Sequence, residues 1–200
     1  MPKIKVLING YASEKEGAEF ASSSVTLIQD QSLNILVDTG MDRQLLTEAL
    51  DKEGLSTDDI DFIVLSHAHL DHCLLASLFA RAQILDDSSI YTFEGKIARH
   101  DFKVPGTQIE IIPTPGHDQN HCSVLVETEE FGKVVVAADL FWWPDNQEQK
   151  VDWESLINLA DPYLKDWEAL IESREKILKI ADYIIPGHGQ GFKVEKKSKS

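Results

Sequence analysis

Three imidazoles and one carboxylate fall inside His67-Ala68-His69-Leu70-Asp71-His72, directly after the apolar run Phe62-Ile63-Val64-Leu65 and Ser66. Neutral imidazole and carboxylate are ligands that zinc and iron accept, and the ordinary pKa of histidine leaves it free to bind near neutral pH. On composition alone, this spacing should arise on the order of once in a thousand such chains. His67 and His69 lie two apart in an extended turn and project to one side. Asp71 and His72 open the helix-like run Cys73 to Phe79 and point elsewhere. Two ligand pairs aimed in different directions suit two adjacent metals better than one. One segment cannot complete either coordination shell. His117, Asp139 and His188 each end an apolar, strand-like run and so reach the rim of a sheet, where they can join the cluster.

The order His-x-His-x-Asp-His, then His, then Asp, then His resembles the metallo-β-lactamase superfamily at all seven ligand positions, over roughly residues 4 to 194. The likeness is nearest to its short single-domain members, the metallo-β-lactamase domain-containing proteins. It rests also on Val134-Val135-Val136-Ala137-Ala138-Asp139-Leu140-Phe141 and Ile185-Pro186-Gly187-His188-Gly189. The resemblance implies that His67, His69 and His117 hold a first metal and Asp71, His72 and His188 a second, with Asp139 bridging. It implies two Zn2+ per chain, with iron or manganese as alternatives, and counts Asp71, His72 and Asp139 as catalytic as well as ligating. A hydroxide bridging the two ions would be the nucleophile, cleaving an ester, thioester, lactone or phosphodiester bond. The competing uses of the scaffold are a mono-iron oxygenase of the persulfide dioxygenase type, a metal-dependent nuclease and a non-catalytic binder. Asp38 is implied to support the centre from behind, its alternative being a helix cap. His121 is expected to be buried and supporting, with substrate contact as the other reading. His100 has no spaced partner and reads as a surface residue. Trp142-Trp143 is open to three roles: substrate wall, subunit contact or plain packing.

The elements that must carry these residues can be read from periodicity. Residues 3–9, 25–30 and 33–38 pattern as strands, and a polar loop at 10–24 reads equally as a rim of the site or as a mobile surface loop. Leu45, Leu46, Ala49 and Leu50 recur at helical spacing, and a core strand at 62–66 leads into the metal motif. Short strands follow at 83–85, 90–93 and 108–113, then a hairpin of 123–127 with 133–138. A short helix at 155–160 precedes a long one whose cap is predicted at Asp161-Pro162. Pattern alone gives α/β or α+β; the resemblance specifies a four-layer αββα sandwich of two mixed sheets flanked by helices, as one domain over 1–194 with a disordered basic tail at 195–200.

A formal net charge of −15 argues against nucleic acid as partner and for a small-molecule substrate. No segment reads as membrane-spanning or as a signal core, so a cytoplasmic location without a membrane partner is expected, and a homodimer stays open. Cys73 and Cys122 are too few for a disulfide framework and read as small buried thiols.

Overall fold

The computed structural model describes residues 1–196. Its first sheet has seven strands in the order β1-β4-β5-β6-β7-β8-β9, comprising β1 (Lys3–Ile8), β4 (Val25–Asp30), β5 (Leu33–Val37), β6 (Phe62–Val64), β7 (Gln83–Leu85), β8 (Ser89–Tyr91) and β9 (Ile97–Arg99). Its parallel neighbours are β5 with β6 and β6 with β7, and its other adjacent pairs are antiparallel. The second sheet runs β10-β11-β12-β13-β14, from β10 (Glu110–Pro113), β11 (Cys122–Thr128), β12 (Gly132–Trp142), β13 (Tyr183–His188) and β14 (Phe192–Lys193). In it β12 and β13 are the parallel pair.

Alternation along the strands sorts side chains between layers. Ile35, Val37, Phe62 and Val64 of the first sheet meet Val124, Val134, Val136 and Ile185 of the second in one buried core. Their sequence neighbours turn outward. Leu36 and Ile63 pack with Leu46 and Leu50 of helix α1 (Arg43–Lys52). Val135, Ala137 and Ile184 pack under Leu170, Ile177 and Leu178 of helix α4 (Trp167–Ile180), with Leu156 of α3 (Trp153–Ile157) beside them. Both sheets are therefore covered on both faces, which is why their strands read as continuous apolar runs rather than as alternation. The layers are helix, sheet, sheet, helix, as the sequence resemblance implied.

Five sequence expectations change in detail. The stretch 10–24 is not a loop but a β-ribbon, β2 (Tyr11–Lys15) against β3 (Ala18–Ser22), turned at Gly17 with φ +77°. Its alternation was hidden because most of its residues face water. The run after the metal motif is one α turn, α2 (Leu70–Cys73), followed by a 3-10 turn over Leu74–Leu78. Cys73 φ −116° takes the chain out of the helix there. The helix predicted at 155–160 starts earlier, at Trp153, because Asp152 accepts from Ser155 N at 3.0 Å. Helix α4 begins at Trp167 rather than at Pro162, capped by Asp166, which accepts from Ala169 N at 3.1 Å. At the far end Lys196, assigned to the frayed tail, donates to the carbonyls of Lys179 and Ala181 and so caps α4; residues 197–200 lie outside the described residues.

Candidate metal centre

Parallel pairing of β5 with β6 sets two strand ends side by side, and the centre is built on them. β5 stops at Val37, and Asp38 takes φ +57°, a left-handed conformation that an L side chain adopts at some cost. The turn aims its carboxylate under the metal motif. Oδ1 accepts from Ser66 N at 2.8 Å, and Oδ2 accepts from Ser66 Oγ and from His72 Nδ1, both at 2.8 Å. The helix-cap alternative for Asp38 is excluded, because Asp42 caps α1 by accepting from Leu45 N at 3.0 Å.

The seven expected side chains converge. One ligand atom from each of His67, His69, His117 and Asp139 lies within 4.8 Å of the others, and Asp71, His72 and His188 form a second such group. Asp139 reaches both, with Oδ2 3.4 Å from His117 Nε2 and Oδ1 3.1 Å from His72 Nε2 and 3.6 Å from His188 Nε2. The strand delivers it through strain: Ala138 has φ +46°, and the β12–β13 register shifts there. A Cβ at Gly187 would occupy the space of Asp139 Oδ1, so β13 can pass here only with glycine.

Four of the five imidazoles are oriented from their far side, whereas His69 meets His117 Nε2 through Nδ1 at 3.1 Å. His117 Nδ1 donates to Asp161 Oδ2 at 2.7 Å, and His188 Nδ1 to the Tyr11 carbonyl at 3.0 Å. Ser66 Oγ has used its proton on Asp38, so His67 Nδ1 donates to Ser66 Oγ at 3.0 Å. In the neutral rings this leaves the Nε2 lone pairs of His67, His72, His117 and His188 aimed at carboxylate oxygens. Acceptor then faces acceptor. Among the described residues His67 Nε2, His72 Nε2 and Asp139 Oδ1 are buried without a hydrogen-bond partner. Such a set is stable only around positive charge, and imidazole with carboxylate is a donor set that divalent metals accept. The residues therefore fit a metal cofactor.

The titration of the ligands shows the same demand. Burial pushes the His67 imidazole well below its ordinary value, with the neighbouring His72 adding to the effect. At His72 burial also pushes down, but the Asp139 and Asp38 carboxylates outweigh it and hold that ring well above the usual value. Asp139 is raised by burial and pulled further the other way by His72 and His188, ending well below the carboxylate range. Without an ion, a proton on His72 supplies the missing charge.

Over this floor opens a cleft of about 700 Å³. Trp142, Tyr163, Phe20, Met41 and Leu70 wall it, Glu14, Glu19 and Asp145 stand at its rim, and among the described residues no Lys or Arg lines it. Trp142 is thus a cleft wall, whereas Trp143 is core at 2% exposure. His121 is fully buried with Nδ1 2.9 Å from Thr114 Oγ1, behind His67 and outside the cleft lining. Cys122 is buried; Cys73 stays partly exposed, because the single turn of α2 leaves it near the surface. His100 is half-buried and bonds the Asp86 carbonyl through Nε2 at 3.1 Å. Sequence reasoning missed Ser66, the Tyr11 carbonyl and above all Asp161, which was assigned to a helix cap.

The metallo-β-lactamase superfamily profile matches residues 18–87. Over 203 residues the chain is 37% identical to metallo-beta-lactamase domain-containing protein 1 of Xenopus laevis, an alignment spanning 96% of this chain and 82% of that one. The chain belongs to the metallo-β-lactamase superfamily. It is accordingly a metal-dependent hydrolase. An N-acyl homoserine lactonase of Bacillus thuringiensis is 28% identical over 123 residues, 53% of this chain and 48% of that one. The superfamily fold recurs in the solved structure of AidC, a dizinc quorum-quenching lactonase, with a TM-score of 0.64 at 20% identity, covering 86% of this chain and 73% of that one.

Proposed function

We propose that this chain is a two-metal hydrolase, with zinc as its ion, that cleaves an uncharged acyl bond in a small molecule: an ester, thioester or lactone. His67, His69 and His117 would hold one ion, Asp71, His72 and His188 the other, and Asp139 both. Such a pair, when bound, supplies a nucleophilic water at neutral pH and polarises the acyl oxygen. The protein residues do the rest. Asp38, Ser66, Asp161 and the Tyr11 carbonyl fix the imidazole rings, so that little reorganisation is left for the reaction. Trp142, Tyr163, Phe20 and Leu70 offer apolar surface to an acyl chain or ring and exclude water from the floor. Asp71 faces the cleft, its side chain 21% exposed, where its carboxylate can take up the proton that the attacking water releases and pass it to the departing oxygen or sulfur.

The observation that carries the choice of substrate is the cleft's charge. A phosphodiester would enter past Glu14, Glu19 and Asp145 with no Lys or Arg among the described residues to receive it. This counts against the nuclease reading, since phosphate recognition needs cations. The lactonase likeness points the same way. A mono-iron oxygenase needs only the group that contains His117. Here the second group is as carefully held, through Asp38 on His72 and Tyr11 on His188, which favours two ions.

The test is a matched panel of aryl esters, thioesters, γ-lactones and bis-aryl phosphodiesters with zinc-loaded protein. Turnover of the acyl substrates with phosphodiester cleavage at least tenfold slower supports the reading, given the reach of charge steering. Preference for phosphodiesters, or persulfide oxidation by an iron-loaded chain, overturns it.

A further inference from the structure

Among the described residues the largest fully buried side chain is a cation, Arg174 of α4, at 0% exposure, and no carboxylate among them hydrogen-bonds to it. Nε donates to the Leu140 carbonyl at 2.9 Å, and Nη1 donates to those of Leu159 at 2.6 Å and Ile157 at 3.1 Å. Its guanidinium carbon sits 5.9 Å from the Phe141 ring centroid. Desolvating a charge without a salt bridge is expensive, and a methionine or leucine would fill this space more cheaply. A planar fork that reaches two separate backbone segments is what those residues cannot supply.

The segments it reaches belong to the centre. Leu140 follows Asp139, and Leu159 lies two residues before Asp161, which holds His117. The neighbouring Ser173 donates from Oγ to the Pro115 carbonyl at 2.8 Å, two residues before His117. Lys165 N and Asp166 N, at the start of α4, donate to the Gly116 carbonyl at 2.8 and 3.0 Å. One helix therefore grips the stretches that carry Asp139, Asp161 and His117. The ligands of the other group are held from elsewhere, by Asp38 and the Tyr11 carbonyl.

We infer that Arg174, with Ser173, is a positioning residue for the first metal group, locking the β12 end, the 157–161 segment and the His117 turn in register so that His117 and Asp139 meet one ion. The inference rests on the two-metal reading. It ranks the two ions: disturbing Arg174 should weaken the His67, His69 and His117 group more than the other, which takes only Asp139 from the gripped stretches.

Zinc titration against a competing chromophoric chelator tests this in two backgrounds, His188→Ala, which keeps the first group whole, and His69→Ala, which keeps the second. Arg174→Met should lower affinity in the His188→Ala chain by about 10- to 100-fold, the range for groups that orient metal ligands, and in the His69→Ala chain, whose ion takes only Asp139 from the gripped stretches, at least about fivefold less. Arg174→Lys, which keeps the charge without the fork, should remain weakened. If Arg174→Met does not fold, Ser173→Ala decides, with an expected loss of about tenfold confined to the first group. Equal weakening in both backgrounds, unchanged affinity, or full recovery with lysine overturns the inference. If the unsubstituted chain takes up fewer than two zinc ions, the two-metal reading itself fails, and this inference with it.

Discussion

At the scale of single residues the centre is a problem in proton placement. Each of four imidazoles has its Nδ1 committed to a donor role, and the partner of His117 is the carboxylate of Asp161. Replacing Asp161→Asn keeps the shape but lets the amide donate, which favours the wrong His117 tautomer. Metal affinity and turnover are expected to fall about 10- to 100-fold with the melting temperature of the metal-free chain little changed, measured by chelator competition and thermal unfolding. The ligands themselves were legible, since His-x-His-x-Asp-His is dense and His117, Asp139 and His188 each end an apolar run. Asp161 was not. Asp-Pro is a good helix start in isolation, and its real partner lies 44 residues away. His121 carries a pH prediction. Burial lowers its pKa to about 3, so below about 6.5 the unfolded chain binds the proton that the folded chain refuses. Stability attributable to this ring is therefore complete above 6.5 and falls as pH drops towards 3. The metal-free chain should lose about 2 kcal/mol between pH 7 and 5 relative to His121→Asn, in urea titrations at both values. The His72 ring, shifted upward, runs the opposite way, and the paired comparison cancels it. An equal pH dependence in both chains would show that His121 is not held neutral.

At the scale of elements, the strands that end at the centre are the ones the sequence made plainest, because burial on both faces leaves them almost without polar residues. The β2–β3 ribbon was hidden for the opposite reason: its faces meet water and the cleft rather than the core, and a polar stretch with Gly17 reads as loop. The ribbon is nonetheless tied to the centre. Its first residue supplies the carbonyl that holds His188, and Ala12 and Asp145 exchange two hydrogen bonds. It also brings Glu14, Glu19 and Phe20 to the cleft. Reversing charge there with Glu14→Lys and Glu19→Lys should raise kcat/KM for anionic over neutral esters about tenfold at low salt and lose that gain at high salt. A salt-independent change would place the effect in packing rather than charge. On β13, Gly187→Ala forces a methyl group against Asp139 Oδ1, and zinc binding should weaken by at least about tenfold while the sheets persist in circular dichroism.

At the scale of the molecule, an acidic chain encloses a cluster of lone pairs that only positive charge can settle. The fold class was readable from the order of elements, whereas the four-layer sandwich needed the resemblance, because periodicity says that a strand is buried without saying what lies on each face. The same argument makes metal a part of stability. An ion that binds only the folded chain at a thousand times its Kd adds about 4 kcal/mol, so stripping it should lower the melting temperature by roughly 10 °C. The most direct test is elemental analysis of protein purified without added metal. Two zinc ions per chain, falling to about one in His188→Ala, is the result this account predicts. A folded chain that carries a single iron, or that carries no metal and takes up none, would contradict it.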